Sequence, residues 1–345
     1  MKANVLYNIN DLRYTDYKTP EIKEDEVMIN VKAAGICGSD IARVFKTGTY
    51  HFPTIIGHEF SGLVVQTGNK TNSALLNQRV AVFPLIPCKQ CEQCKKGNYE
   101  LCSHYNYLGS RCDGGFAEYV AAPAWNLLPI PDSVSYESAA MLEPASVAMH
   151  AFKRSQFLVG EKVVIFGPGT IGMILAQIAK NAGASRVVLI GRHQQKLDFA
   201  HHLLNVETFN SSASDFNEQK EHLSHEGFDI VFEGTGADTT LSHCIEIVKP
   251  MGRIVTLGNP IGDFTLEKNI YWKILRKQLT ITGTWNSGFG TAKSDWNTVL
   301  SMITEKKLNL EGLITQRYKL HQLKEGLQDM VNPNVYTNKV MTINY

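Results

Sequence analysis

Apolar and polar residues alternate over short stretches in the first part of the chain. In EVMINVKAAGIC the apolar residues Val27, Ile29 and Val31 occupy every second position, and SGLVVQTG and RVAVFPLIP are further strand-like stretches. A period of two predicts β-strands that bury one face. The pattern therefore predicts a β-rich, partly open barrel over roughly the first 85 residues.

The pattern changes after about residue 155, where short apolar runs alternate with helical patterns. KVVIFGPGTIGMILAQIAKNAGA contains an apolar run, a glycine turn and an amphipathic helix, and RVVLIG, FDIVFEGTG, GRIVTLG and LTITGTW are further candidate strands. Buried strands that alternate with helices are typical of a parallel sheet. We therefore predict an α/β protein in which a six-stranded, doubly wound Rossmann sheet accompanies the β-rich part.

A glycine motif lies between the first of these strands and its helix. Gly167, Gly169 and Gly172 form G-x-G-x-x-G, which supplies a tight turn, a close approach for pyrophosphate and close packing of helix on strand. The helix N-terminus then faces the phosphates. This context predicts dinucleotide binding by Gly167, Gly169, Thr170, Ile171 and Gly172.

The end of the second strand of this region indicates which dinucleotide is preferred. An NAD-binding chain is expected to have Asp or Glu there, but this chain has Gly191, Arg192 and His193, with Lys196 close behind. Because no carboxylate repels a 2'-phosphate and three basic groups can neutralise one, we predict that NADP is preferred over NAD. A solvated basic turn is the alternative.

Four cysteines in PCKQCEQCKKGNYELC have the spacing C-x2-C-x2-C-x7-C. Four thiolates complete a tetrahedral zinc site without leaving an open position. We therefore predict a structural zinc held by Cys88, Cys91, Cys94 and Cys102 in a lobe at about residues 86–104. Four unrelated cysteines and an iron–sulfur cluster are the alternatives.

A second candidate metal site lies between Ile36 and Phe60. Cys37, His58 and Glu59 supply a thiol, an imidazole and a carboxylate, and glycines lie beside them. Catalytic zinc is held by about three such ligands and keeps a position for water or substrate. Taken singly, Cys37 and His58 are typical of buried structural residues, but the paired motifs GxCGSD and GHEFSG favour a metal site.

These two motifs resemble those of the zinc-dependent medium-chain alcohol and polyol dehydrogenases, and the resemblance runs along the whole chain. The segments CGSDIARVFKTG, YLGSRCDGGFAEYV, EPASVAMHAF and KILRKQLTITGTW are most similar to polyol dehydrogenases, including the galactitol-phosphate enzymes. The resemblance implies a GroES-like catalytic domain over residues 1–154, a dinucleotide-binding domain over 155–284 and a return to the catalytic domain over 285–345. It also implies that substrate enters between the two domains.

The resemblance also assigns roles around the predicted catalytic zinc. It implies that Glu143 is a further ligand, direct or through water, and that Ser39 hydrogen-bonds the reacting oxygen. Surface capping of a helix by Glu143 is the alternative. The catalytic residues are thus predicted to be Cys37, Ser39, His58, Glu59 and Glu143. Ala42 stands where the liver-type alcohol enzymes continue a proton relay through histidine, which leaves Glu143 as the candidate proton route.

Three residues are predicted to bind substrate, namely Arg43, Lys46 and Asn286. Arg43 stands where the sorbitol-type enzymes have an aromatic residue, and an arginine can grip phosphate with two donors. We therefore predict a dehydrogenase that interconverts a secondary alcohol of a polyol phosphate and its ketone, as from galactitol 1-phosphate to tagatose 6-phosphate. A dehydrogenase of free polyols such as sorbitol, L-iditol or butanediol is the alternative.

Composition and charge limit the other function classes. The chain has 345 residues, of which 43% are hydrophobic and 19% charged, and its formal net charge is +1. This balance gives no reason to expect nucleic acid or a membrane as partner. Seven cysteines, an odd number with four at metal spacing, favour a reducing compartment. We expect a soluble, cytoplasmic homodimer or homotetramer with two zinc ions per chain, and a non-catalytic relative is disfavoured because the predicted catalytic residues are all present.

Overall fold

The computed structural model describes residues 1–260, 262–291 and 294–345. The chain divides into two compact units, of which the first contains Met1–Ser146 and Ser287–Tyr345 and the second contains Val147–Asn286. In the described residues no helix combines the length and the apolar character that crossing a membrane requires.

The N-terminal part of the first unit is built mainly of strands. They are β1 (Lys2–Asn8), β2 (Asp11–Asp16), β3 (Glu26–Ile36), β4 (Thr54–Ile55), β5 (Glu59–Thr67), β6 (Arg79–Val82), β7 (Leu85–Ile86), β8 (Asn106–Tyr107), β9 (Tyr119–Pro123) and β10 (Leu127–Pro129). The short α-helices between and after them are α1 (Gly38–Ala42), α2 (Glu92–Lys95) and α3 (Tyr136–Ala140). The longer helix α4 (Leu142–Arg154) follows.

The second unit alternates strands and helices. Its strands are β11 (Lys162–Phe166), β12 (Arg186–Gly191), β13 (Glu207–Asn210), β14 (Phe228–Glu233), β15 (Val248–Thr256) and β16 (Thr280–Gly283). Its helices after α4 are α5 (Thr170–Asn181), α6 (Gln194–Leu204), α7 (Phe216–Glu226), α8 (Asp238–Ile247) and α9 (Lys268–Arg276). The chain then returns to the first unit with α10 (Asp295–Thr304), β17 (Ile314–Lys319), α11 (Leu323–Val331) and β18 (Lys339–Ile343).

The main sheet of the first unit is centred on β3. Among the described residues it has seven strands in the order β10-β6-β5-β3-β18-β17, with β9 also paired to β3. Val27, Ile29 and Val31 on β3 are fully buried, as their alternation predicts, and Phe60 and Val64 of β5 belong to the same core. Burying each such side chain stabilises the fold by about 1.5–3 kcal/mol.

The sheet of the second unit is parallel throughout its described strands, in the order β13-β12-β11-β14-β15-β16. Val164, Val188, Val231 and Ile254 are fully buried on neighbouring strands. The strand order reverses between β11 and β14, which is where ligands bind in open α/β sheets. The prediction of an α/β protein with a Rossmann sheet and a β-rich part is confirmed.

Candidate active site and metal centres

The end of β3 places Cys37 at the start of α1. Cys37 is the residue before the first turn, and its backbone N–H donates to Asp40 Oδ2 at 3.0 Å. This contact satisfies one of the N–H groups that a helix start leaves without a partner. A carboxylate in the first turn therefore fixes the backbone that carries the thiol.

His58 and Glu59 come from the start of β5, which pairs with β3. Gly35 lies opposite Glu59 in the register, and a Cβ on Gly35 would lie 2.2 Å from Glu59 Oε2, so only glycine leaves room for this carboxylate. The donor atoms of Cys37, His58 and Glu59 all lie within 4.8 Å of one another. We call these three residues the mixed-donor group; its thiolate, imidazole and carboxylate fit zinc.

Asp40 lies beneath the mixed-donor group and is fully buried. Its Oδ1 lies 3.5 Å from His58 Nδ1 and accepts a hydrogen bond from an Arg43 guanidinium nitrogen at 3.0 Å. Burial lowers the pKa of His58, but the Asp40 carboxylate together with Cys37 outweighs burial, so the pKa is raised well above its ordinary value. Asp40 therefore keeps a negative charge beside the ring and restrains its orientation.

Glu143, on the first turn of α4, is the second carboxylate of the site. It accepts a hydrogen bond from the Tyr107 hydroxyl at 3.2 Å, and the Tyr107 ring centre lies 5.9 Å from that of His58. Burial, opposed by His58 and reinforced by Glu59, raises the pKa of Glu143 to about 7. A bound divalent cation would favour the charged carboxylate and lower this pKa.

Lys339, at the start of β18, contacts the other face of the group. Its Nζ donates to Glu59 Oε2 at 2.5 Å and to the Ile36 carbonyl at 3.1 Å, and the residue is only 3% exposed. Burial would lower the pKa of Lys339, but Glu59 raises it, so the lysine stays charged. Glu59 is therefore shared between the candidate metal position and a buried cation.

The sequence pattern did not single out Lys339 or Tyr107 as site residues. A lysine before the apolar stretch of KVMTINY is also typical of a solvated strand end, and nothing in YLGSRCDGG marks Tyr107. Only the pairing of β18 with β3, which joins residues about 300 positions apart in the chain, brings Lys339 to Glu59.

The predicted substrate residues lie in three different settings. One Arg43 nitrogen donates to Ser39 Oγ at 2.9 Å as well as to Asp40, so this arginine is committed to the site's own residues. Lys46 is exposed on the π-helix Arg43–Thr47. Asn286 has a positive φ of 51°, and its buried side-chain nitrogen has no hydrogen-bond partner among the described residues.

The four cysteines of the lobe form a second group of donors. The Sγ atoms of Cys88, Cys91, Cys94 and Cys102 all lie within 4.8 Å of one another. The Cys88–Cys94 and Cys91–Cys102 sulfur pairs are each 4.0 Å apart. A tetrahedron of zinc–sulfur bonds of about 2.3 Å has edges of roughly 3.8 Å, so the four sulfurs fit one zinc ion.

The glycine motif forms the turn between β11 and α5. Gly167 has a positive φ of 101°, and a Cβ on Gly172 would lie 2.0 Å from the Gly167 carbonyl oxygen. Gly169 precedes the helix, and a Cβ on it would meet no atom within 4 Å, which leaves space for a ligand. Thr170 and Ile171 form the first turn of α5. The turn therefore fits a pyrophosphate at the helix N-terminus.

Arg192 and His193 follow β12 and are exposed, with Arg192 Nε donating to His193 Nε2 at 3.2 Å. Lys196 is half-buried, and its pKa is lowered by burial and by Arg192. In the part of the chain that the structure describes, no carboxylate forms an ion pair with Arg192 or Lys196. The positive charge at the end of β12 is therefore not neutralised by any carboxylate of the described residues.

Fold and donor groups together define a zinc- and dinucleotide-dependent dehydrogenase. The sequence-family model of the alcohol dehydrogenase GroES-like domain matches residues 23–132. The family model of the zinc-binding dehydrogenases matches residues 170–305. The chain belongs to the zinc-binding alcohol dehydrogenase family and is an oxidoreductase. The resemblance identified from the sequence motifs is confirmed.

Individual relatives extend over nearly the whole chain. Galactitol 1-phosphate 5-dehydrogenase of Escherichia coli K12 is 35% identical over 99% of this chain and 100% of its own length. Its structural counterpart, galactitol-1-phosphate dehydrogenase from Escherichia coli, has a TM-score of 0.92 at 34% identity and full coverage of both chains. Sorbitol dehydrogenase of Bombyx mori is 32% identical over 94% of each chain. A zinc-binding dehydrogenase from Sinorhizobium meliloti 1021 bound to NADP has a TM-score of 0.91 at 28% identity, with 99% of each chain covered.

Proposed function

We propose that this protein interconverts a secondary alcohol of a polyol phosphate and the corresponding ketone, in the manner of galactitol 1-phosphate and tagatose 6-phosphate, with NAD(P) as hydride carrier. The observation that carries the proposal is the mixed-donor group with Glu143 beside it. Full-length similarity to the Escherichia coli galactitol 1-phosphate enzyme supports the substrate class.

Two zinc ions per chain are proposed, one in each donor group. Cys37 and His58 hold the catalytic zinc, and the third protein ligand is Glu143 or Glu59. The grouping of the Glu59 carboxylate with the donor atoms of Cys37 and His58 favours Glu59, whereas its ion pair with Lys339 offsets part of its charge and favours Glu143. When bound, the zinc lowers the pKa of the substrate hydroxyl and the nicotinamide accepts the hydride.

The residues of the chain direct the proton of the substrate alcohol. Ser39 Oγ accepts a hydrogen bond from Arg43 and keeps one lone pair and one proton, so it can accept the proton of the substrate alcohol while it passes its own proton to water. Ala42 cannot continue the relay, so we propose that the proton leaves through water beside Glu143, whose carboxylate a bound zinc would keep charged and able to accept hydrogen bonds from that water. Tyr107 orients that carboxylate through its hydroxyl.

NADP is the proposed preferred cofactor. Arg192, His193 and Lys196 present positive or polar groups at the end of β12 without a carboxylate to oppose a 2'-phosphate. The NADP bound to the Sinorhizobium meliloti relative supports this choice. If the basic turn is merely solvated, NAD serves as well.

A dehydrogenase of free polyols is the second candidate. It is favoured by the similarity to sorbitol dehydrogenase of Bombyx mori, which is nearly as extensive as that to the galactitol 1-phosphate enzyme. Both candidates use the same donor groups and differ in what holds the far end of the substrate.

Initial rates with zinc-replete enzyme test these proposals. Galactitol 1-phosphate, sorbitol 6-phosphate, galactitol, sorbitol and 2,3-butanediol are each assayed with NAD and with NADP. We expect kcat/KM for a phosphate ester to exceed that for the free polyols by at least about 100-fold, the value of two or three phosphate hydrogen bonds. Equal values would contradict the polyol-phosphate proposal, and a preference for NAD would contradict the role of Arg192.

A further inference from the structure

We propose that Arg111, held between the rings of Tyr50 and Tyr105, binds the phosphoryl group of the substrate. This inference rests on the proposed function, because it supplies the recognition element by which a polyol phosphate is distinguished from a free polyol. It differs from the assignment of phosphate binding to Arg43, the arginine that the motif resemblance suggested.

Two aromatic rings fix the guanidinium of Arg111. Its central carbon lies 4.2 Å from the ring centre of Tyr50 and 4.4 Å from that of Tyr105. With the described residues its guanidinium nitrogens make two long hydrogen bonds, at 3.3 Å to the Tyr50 hydroxyl and at 3.4 Å to the Tyr105 carbonyl. Stacking restrains the plane of the group while leaving most of its donor capacity free.

Arg111 differs from other arginines of the same unit in having no counter-ion among the residues that the structure describes. Arg43 is paired with Asp40 at 3.0 Å and Arg13 with Asp11 at 2.6 Å. Within the described ranges, 1–260, 262–291 and 294–345, no carboxylate lies at ion-pair distance from Arg111. A fixed, planar and unneutralised cation is what bidentate binding of a phosphate requires, whereas the charge of Arg43 is already balanced.

A continuous aromatic wall connects Arg111 with the mixed-donor group. The Tyr105 ring centre lies 6.2 Å from that of Tyr107, and Tyr107 in turn contacts His58 and Glu143. Tyr107 lies on β8, and Tyr105 comes two positions earlier, just before that strand begins. Three successive contacts thus link the guanidinium to His58, from Arg111 to Tyr105, from Tyr105 to Tyr107 and from Tyr107 to His58.

The backbone around Arg111 is tied to the loop that carries Tyr50. The His51 ring nitrogen Nε2 lies 3.2 Å from the Arg111 carbonyl oxygen. Farther along, Asp113 Oδ1 accepts from the Ile55 N–H at 2.9 Å, and the Gly114 N–H donates to the Ile55 carbonyl at 2.8 Å. These contacts join the two segments, so Tyr50 and Arg111 are positioned by the fold rather than by substrate.

Steady-state kinetics of Arg111→Met with galactitol 1-phosphate and with galactitol test the inference. The measured quantity is the ratio of kcat/KM for the ester to kcat/KM for the free polyol. We expect this ratio to fall at least about 50-fold, because the variant keeps a chain of similar length but loses the charge and the paired donors. Arg111→Lys keeps the charge without the planar pair of donors, and we expect about a tenfold fall.

Arg13→Met is the matched control. Arg13 also lies over a tyrosine, 4.9 Å from the ring centre of Tyr7, but it is paired with Asp11. We expect Arg13→Met to leave the ratio at the wild-type value. Thermal unfolding shows whether each variant is folded. If Arg111→Met is not folded, the ratio measured for Arg111→Lys tests the role of Arg111.

The outcomes separate this inference from the function on which it rests. A wild-type ratio near one overturns the polyol-phosphate function and the role of Arg111 together. A high wild-type ratio that persists in Arg111→Met and in Arg111→Lys overturns the role of Arg111 alone. A high wild-type ratio that falls in the Arg111 variants and not in Arg13→Met supports both.

Discussion

The two donor groups of this protein differ in how the chain assembles them. The four lobe cysteines come from one segment of fifteen residues, Cys88 to Cys102, and each finds its partners within that segment. The mixed-donor group joins the ends of β3 and β5, and its neighbours Glu143 and Lys339 come from α4 and the C-terminal strand β18. One group is local, and the other exists only in the folded unit.

They differ also in what surrounds the donors. The lobe sulfurs contact one another and backbone N–H groups, as in the 3.2 Å contact from the Cys88 N–H to Cys102 Sγ. The mixed-donor group borders ionisable side chains, namely Asp40, Glu143, Tyr107 and Lys339. Four thiolates close a metal site, whereas a mixed set with mobile protons nearby suits chemistry.

The largest expected effect comes from removing the imidazole of the mixed-donor group, that of His58. We expect His58→Ala to lower kcat/KM by at least about 1,000-fold, or about 4 kcal/mol of transition-state stabilisation, because the metal loses a ligand. Zinc analysis should give one ion per chain in place of the proposed two. His225→Ala serves as control, since His225 lies on α7 with its side chain 79% exposed; wild-type-like activity in His58→Ala would remove the catalytic role of the group.

A smaller effect, on stability and not on turnover, is expected in the lobe. Cys94→Ser should lose one zinc ion and about 3 kcal/mol of unfolding free energy, because the lobe sulfurs lose the ion that joins them. The turnover number of the molecules that remain folded should change less than about threefold. Thermal unfolding and zinc content measure the first effect, with Cys112→Ser as the control outside both groups. An inactive but stably folded Cys94→Ser would contradict the division of roles.

The smallest expected effect concerns Glu143, the carboxylate beside the mixed-donor group, which has no counterpart in the cysteine lobe. Burial raises the pKa of Glu143 to about 7, above its ordinary value of 4.5, so the folded metal-free protein binds this proton more tightly than the unfolded chain does. The protonated Glu143 therefore stabilises the metal-free fold at low pH, and this stabilisation is lost as the pH rises through about 7.

Glu143→Gln removes this pH dependence. In the presence of a chelator, the unfolding free energy of the variant minus that of wild type should increase by about 2 kcal/mol from pH 5 to pH 8. Denaturant titration at each pH measures this difference. With zinc bound, wild type should be more stable than Glu143→Gln, because the metal favours the carboxylate. A pH-independent difference in chelator would mean that Glu143 is not the titrating group.

The fold class and the donor residues could be predicted because their signals are local. Alternation at Val27, Ile29 and Val31 and the spacing of the four cysteines each depend on a few neighbouring residues. The Gly167 motif is similarly local, since its turn, close approach and helix start occupy six consecutive positions. These parts of the architecture required no knowledge of how distant segments pair.

The sequence did not indicate how the mixed-donor group is balanced electrostatically. Lys339 and Glu59 are 280 positions apart, and only the β5-β3-β18 pairing brings them together. The motif resemblance placed a phosphate grip at Arg43, but that side chain donates to Asp40 and Ser39. Which arginine keeps a free charge depends on the side chains packed around it, and local sequence does not encode that. The roles of Arg43, Lys46 and Asn286 in substrate binding stay predictions.

The most direct test of the division between the two groups is turnover measured against zinc content while a chelator removes the metal. Four thiolates should hold zinc more tightly than the mixed-donor group does, so the first ion lost should be the catalytic one. We predict that turnover with galactitol 1-phosphate falls to zero while one zinc ion per chain remains bound. Activity that persists after the first ion has left, and disappears only with the second, would contradict the account.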